Sequence, residues 1–206
     1  MTLEALPRHL KEPRFPVLPP LRPDLPTMYD LPSENPEDPG LDEYHWFQAQ
    51  ILSETCLPHY GEPQAERRYF TGQDLNIYYD PENTNWYKRP DWFLALTTRR
   101  AHESGRMSYV VWQEPVNPYL VVEFISSSTK AEDLGEKERK GAIPTKWEVY
   151  ERILKIPYYV VYDGAHDDLR IFRLENGAYC AQPVDQQLYL PEINLSLGLS
   201  DGGYND

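Results

Sequence analysis

The chain has 206 residues, 40% hydrophobic and 26% charged, with a net charge of −13 at pH 7. That composition describes an ordinary globular protein with one substantial core and an appendage. The acidic balance argues against a protein that coats nucleic acid non-specifically, because neutralising phosphates takes clustered Lys and Arg; an enzyme with one local basic cleft remains open.

Half of the 20 prolines fall in the first 39 residues. "FPVLPPLRPDLP" can form neither helix nor central strand, so residues 1–41 are expected to be an extended Pro-rich arm and 42–206 the folded domain. The N-terminus lacks an apolar signal core and no long apolar run follows. Cys56 and Cys180 stand far apart without a CxxC partner. Neither a disulfide framework nor a zinc site is indicated, and a cytoplasmic location is expected.

Asp42 is a plausible N-cap for a helix reading "DEYHWFQAQILSET". Tyr44, Phe47 and Ile51 are spaced for one buried face, with Glu43 at its border. Strands are expected at 74–80, 91–98, 107–113 and 119–128, separated by turn-rich pieces. In the last of these, Leu120, Val121 and Val122 are consecutive, which suggests a strand buried on both faces. A long polar connection, "STKAEDLGEKERKGAIPTK", leads to a short helix whose Trp147, Tyr150, Ile153 and Leu154 form a stripe. Further strands are expected at 157–163, 169–175 and 177–184. The order predicts an α+β domain, a mixed central sheet flanked by a few helices, with 119–128, the following helix and 157–163 as a crossover unit.

Two acids stand out against this pattern. Asp91 follows Pro90 and enters an apolar strand; a Pro-Asp turn bonded to nearby amides is the plainer explanation. Glu123 sits between Val122 and Phe124 in the most apolar strand. A buried carboxylate without a partner costs several kcal/mol, so a cation is expected beside it. Pairing the two strands would bring both acids to one end of the sheet. Two oxygen ligands suit Mg²⁺ or Mn²⁺, which also bind phosphate oxygens. Basic residues cluster nearby: Lys88, Arg89, Arg99, Arg100 and Arg106 around Asp91, and Lys130, Lys137, Arg139, Lys140 and Lys146 after Glu123.

"KRPDWF", "VVEFISSST", "EDLGEK" and "PTKWEVYERILKIPYYVVYD", in that order, resemble the bacterial Uma-type family of endonucleases, members of the restriction-endonuclease-like superfamily with its PD…(D/E)xK signature. The resemblance covers roughly residues 28–200. It implies a restriction-endonuclease-like fold, a Mg²⁺- or Mn²⁺-dependent nuclease acting on DNA, and cutting as a homodimer. Asp91 and Glu123 take the places of the metal-binding acids. The superfamily's lysine would fall at residue 125, where this chain has Ile125. The basic role instead fits Lys146, with Tyr150 four residues on; Lys137 competes for it, and Lys146 is preferred because the first turn of a packed helix positions a side chain better than a loop. Glu43 is the candidate for an additional metal-binding acid from the first helix, with Glu54 in reserve, while His45 is expected to be an ordinary helix residue. Ser126 and Tyr150 are expected to support the site, the carbonyl of Phe124 is a further candidate ligand, and Arg99, Arg100 and Arg106 could track backbone phosphates. The broken x-Lys position, the acidic charge and the Pro-rich arm support an alternative, a non-catalytic protein-binding or regulatory module on the same scaffold.

Overall fold

The run Leu120–Phe124 forms the strand that the rest of the domain is built around. All five of its residues are buried, which explains the missing polar alternation. The structure is a computed structural model, and it describes residues 43–56, 69–96, 106–114, 116–125, 129–139, 141–164, 166–183 and 187–199. The arm, Asp42, Arg99, Arg100 and Ser126 lie outside the described residues, as do the side chains of Glu43 and Tyr44.

In chain order the elements are α1 (Glu43–Thr55), β1 (Tyr69–Gln73), β2 (Ile77–Tyr78), β3 (Tyr87–Lys88), β4 (Trp92–Leu96), β5 (Tyr109–Val110), β6 (Leu120–Phe124) and α2 (Lys130–Asp133). They continue with α3 (Lys146–Glu148), which runs into a π turn (Val149–Ile153), then β7 (Tyr158–Asp163), β8 (Asp168–Glu175), β9 (Ala178–Gln182), β10 (Leu188–Leu190) and β11 (Leu195–Leu197). The main sheet has six strands in the order β1-β4-β6-β7-β8-β9. Only the β6–β7 pair is parallel. A parallel pair cannot be joined by a tight turn, and here the connection carries α2 and α3. This is the expected α+β architecture with a mixed sheet.

The sheet is packed on both faces. On one, Phe93, Ala95, Val121, Tyr159 and Val161 meet Val149, Tyr150 and Leu154, together with Ile77 and Tyr109 of a small sheet ordered β3-β2-β5. On the other, Trp92, Leu94, Leu120, Val122, Phe124 and Val160 meet Ala49 of α1 and Leu190 of the β10–β11 hairpin. The two-residue alternation of β6 therefore puts Glu123 on the first face, toward α3.

Two helical faces differ from expectation. In α1 the residue turned to the core is Ala49, with Leu52 and Cys56 packed beside it, while Ile51 is exposed. The helical period is right but the face is rotated, because a small residue is what allows the helix to approach the sheet. After α3, Ile153 is exposed while Val149, Tyr150 and Leu154 are buried. The amide of Leu154 donates to the carbonyl of Val149, a five-residue step. That wider turn carries Ile153 off the stripe a regular helix would give it.

Strand β1 was not expected, because "YFTGQ" alternates poorly. Its Gly72 lies opposite Phe93, and a Cβ there would overlap the Phe93 ring. That ring is fully buried and packs edge-on against Phe70 and Tyr109. Gly72→Ala should therefore cost about 1–3 kcal/mol through overpacking, read as a lower urea midpoint with an unchanged slope.

Candidate functional site

Asp91 immediately precedes β4, and Glu123 is the fourth residue of β6. Antiparallel pairing of Trp92 with Val122 carries the backbone on so that the two acids meet at one end of the sheet. Each is tied to the other's strand. The Phe124 amide donates to Asp91 Oδ2 at 2.6 Å, and the Asp91 amide donates to Glu123 Oε2 at 3.3 Å. Asp91 does accept from a backbone amide, as a Pro-Asp turn would, but from the neighbouring strand 33 residues away.

Glu123 is fully buried. The phenol of Tyr150 donates to its Oε1 at 3.0 Å, and the ammonium of Lys146 lies 3.1 Å from its Oε2. Lys146 is fixed at the first position of α3. Thr145 caps that helix by accepting from the Glu148 amide, and the Glu148 side chain accepts from the Thr145 amide, a reciprocal cap that sets the helix start. Lys137, the competing lysine, pairs instead with Glu132 at 2.8 Å.

A third acid completes the cluster. Asp133, in the polar connection, is buried and its Oδ1 lies 2.8 Å from Lys146 Nζ. Its backbone carbonyl accepts from Tyr159 Oη at 2.8 Å. Its Oδ2 is buried without a hydrogen-bond partner among the described residues. Nothing in "AEDLGEK" distinguishes this residue from its solvated neighbours. The nearest signal was Gly135, which ends the short helix at φ +72° and sits against the Trp147 ring.

Charge in this cluster is unbalanced: three carboxylates surround one ammonium. Burial holds the Glu123 carboxyl well above the usual carboxylate range; Lys146 pulls it back, and Asp91 and Asp133 push it further up. Asp91 is raised as well, by burial first, against the pull of Lys146, the Phe124 amide and His45. For Lys146 burial favours the neutral amine, but Glu123, Asp133 and Asp91 outweigh it, so the group stays an ammonium. Burial, then the charge of Glu123, keeps the Tyr150 phenol protonated and able to donate.

Other expected residues are placed differently. Arg106 does not face solvent: its side chain is 3% exposed, with Nε 2.6 Å from Glu114 Oε1 and Nη2 2.9 Å from Oε2, and its guanidinium lies over the Phe70 ring. A guanidinium held by both carboxylate oxygens and an aromatic face is a structural group, not one presented to phosphates. Glu43 begins α1. His45, expected to be an ordinary helix residue, is engaged: its Nε2 lies 3.0 Å from the Phe124 carbonyl oxygen, and its charge acts on Asp91. Lys88, one of the basic residues grouped around Asp91 in the sequence, has a side chain only 11% exposed, with its Nζ 3.6 Å from Glu132 Oε1. Burial lowers its pKa, partly offset by Glu132.

These are hard oxygen donors in negative excess, with one buried oxygen left unsatisfied, and a divalent cation is the group that would balance them. Among the described residues no group of three or more His, Cys, Asp or Glu is arranged to hold a metal ion. Mg²⁺ does not need one, since it is commonly held by one or two carboxylates with waters and substrate phosphates completing the shell. Asp91 and Glu123 are the two carboxylates here that could hold such an ion.

The class defined so far is an α+β domain whose mixed sheet brings two acids and a lysine together at one end. The model of the Uma2 family, described as "Putative restriction endonuclease", matches residues 24–201, and the chain belongs to this family. No curated protein matches the chain. Among solved structures, one described as a "putative nuclease belonging to DUF820 from Anabaena variabilis ATCC 29413" is similar at 13% identity, with a TM-score of 0.46 over 78% of this chain and 79% of that one. Among the described residues no helix is long and apolar enough to cross a membrane.

Proposed function

We propose that this protein is a divalent-metal-dependent nuclease that hydrolyses phosphodiester bonds, with DNA as its substrate and Mg²⁺ or Mn²⁺ as its ion. The observation that carries this reading is the convergence of Asp91 and Glu123, the amide of one bonded to the carboxylate of the other, with Lys146 3.1 Å from Glu123. Asp91 and Glu123 would hold the ion, and Glu43 of α1 is the candidate for a further acid. A bound ion of this type supplies Lewis-acid stabilisation of phosphoryl charge and lowers the pKa of its water.

The chain's own groups do the rest. The Tyr150 hydrogen bond fixes the Glu123 carboxylate in one orientation. Lys146 keeps a positive charge beside the acids, where it can stabilise the charge that develops on the phosphoryl oxygens. Arg99 and Arg100, outside the described residues, would track neighbouring phosphates, and Ser126, also outside them, would support Glu123.

Metal removal tests the reading. A supercoiled plasmid should be nicked in Mn²⁺ or Mg²⁺ and left intact when the ion is chelated. Mn²⁺ should also raise the melting temperature, since ligand at a hundred times its Kd stabilises the folded state by about 2.7 kcal/mol. A second reading, a non-catalytic protein-binding module, is favoured by the net charge of −13 and the inward-facing Arg106. No nicking and no Mn²⁺-induced shift would select it.

A further inference from the structure

Lys146 has two carboxylate partners, and only one of them belongs to the proposed metal pair. Its Nζ lies 3.1 Å from Glu123 Oε2 and 2.8 Å from Asp133 Oδ1. A cation arriving at Glu123 competes with the ammonium for the same carboxylate. An ammonium with no other partner would have to be expelled or left buried without a counter-charge, which costs several kcal/mol.

We propose that Asp133 is the positioning residue for Lys146, the second anchor that keeps the ammonium in place when a divalent cation engages Glu123. This rests on the metal-dependent nuclease reading. The surroundings of Asp133 suit an anchor. Its side chain is 1% exposed. Its backbone is pinned by the Tyr159 hydroxyl, itself buried on β7. Two residues on, Gly135 leaves no room for a Cβ, which would lie 2.6 Å from the Trp147 ring. Trp147 in turn packs edge-on against Tyr159, Phe172 and Tyr179. The turn that carries Asp133 and the helix that carries Lys146 are thus locked by one aromatic cluster, so the Asp133–Lys146 distance is set independently of Glu123. Glu132, the neighbouring acid, is engaged with Lys88 and Lys137 and does not share this role.

The test compares wild type, Asp133→Asn and the double variant Asp133→Asn/Lys146→Met. The double variant neutralises both buried partners and protects the fold if the single change does not. Melting temperature is followed through a Mn²⁺ titration, and plasmid cleavage gives kcat and KM. In Asp133→Asn the ammonium leans on Glu123 alone and competes with the ion. The Mn²⁺ midpoint should rise about tenfold and kcat fall about 10- to 100-fold, with KM changed less than about threefold. In the double variant the competitor is gone, and the midpoint should return to the wild-type value or below it. A wild-type midpoint in Asp133→Asn overturns the proposal. So does a double variant that binds Mn²⁺ about tenfold more weakly than wild type, because Asp133 would then be acting on the ion and not through Lys146. If wild type shows no Mn²⁺ response, the nuclease reading fails and takes this proposal with it; if wild type responds and Asp133→Asn matches it, this proposal fails alone.

Discussion

Asp91→Asn and Glu123→Gln should each lower metal-dependent phosphodiester cleavage by about a thousandfold or more, with the fold intact. The size follows from the role proposed for the ion. Its stabilisation of transition-state charge amounts to several kcal/mol, and each 1.4 kcal/mol is about a factor of ten in rate. Both substitutions are isosteric and keep a hydrogen-bonding oxygen. In Asp91→Asn the Phe124 amide keeps an oxygen acceptor. In Glu123→Gln the amide oxygen can face Lys146 and the Asp91 amide while its NH₂ donates to the Tyr150 hydroxyl. In both, the negative charge that would attract the cation is lost. Far-UV spectra and urea midpoints separate a lost site from a lost fold. Cleavage surviving at the wild-type rate in both variants would rule out the assignment.

For Glu123, the pH dependence of stability shows whether burial or the Lys146 pair governs its charge. Burial raises the folded-state pKa of Glu123 above its ordinary value of 4.5. A group of this kind contributes stability below its unfolded pKa and loses that contribution as pH rises through the folded value. The stability advantage of wild type over Glu123→Gln, measured by urea unfolding in metal-free buffer, should therefore fall as pH rises from below 4.5 toward neutrality. An advantage that grows with pH would mean that Lys146 dominates the environment of Glu123 and that burial does not.

What could be read from the sequence depended on how far each signal was local. Strand β6 was legible because a strand covered on both faces leaves a continuous apolar run, and that run made Glu123 conspicuous. Asp91 stood out as an acid entering an apolar strand after Pro90, but only its pairing with Glu123, a relation between strands that no single stretch contains, set it apart from a turn residue. Lys146 stood at the start of a short helix announced by its apolar stripe; the reciprocal cap of Thr145 and Glu148 that fixes it is seen only in the structure. Asp133 was hidden. Its neighbours Glu132, Glu136 and Lys137 are charged and polar, and it is buried where Tyr159, distant in the chain, bonds its carbonyl and Lys146, across an irregular connection, pairs with its carboxylate. The π turn after α3 concealed the true buried face, since a wider turn breaks the spacing on which an amphipathic pattern depends. Strand β1, as long as β4 and β6, was hidden because "YFTGQ" alternates poorly, and the β10–β11 hairpin because its strands have only three residues each.

Lys146→Met should lower stability and activity together. Removing the ammonium leaves Glu123 and Asp133 buried with the Asp91 carboxylate nearby and no cation among them. Breaking one side of such a cluster costs about 3–5 kcal/mol, read as a lower urea midpoint. Stability should return in part when Asp133→Asn is added, because the remaining buried charge is then reduced. Activity should not return. A preorganised donor facing developing charge is worth about a hundred- to a thousandfold in kcat, and Met offers none. Lys146→Arg separates charge from shape. The guanidinium keeps the positive charge and most of the stability, but it is a planar fork where the site is built for a compact ammonium seated between two carboxylates 3.1 and 2.8 Å away, so the two groups are not interchangeable. Its kcat should stay well below that of wild type. If Lys146→Met cleaves DNA as wild type does while its urea midpoint falls as predicted, Lys146 is a structural counter-charge for the acids, and the catalytic amine must be sought in Lys88, the other largely buried lysine in this cluster.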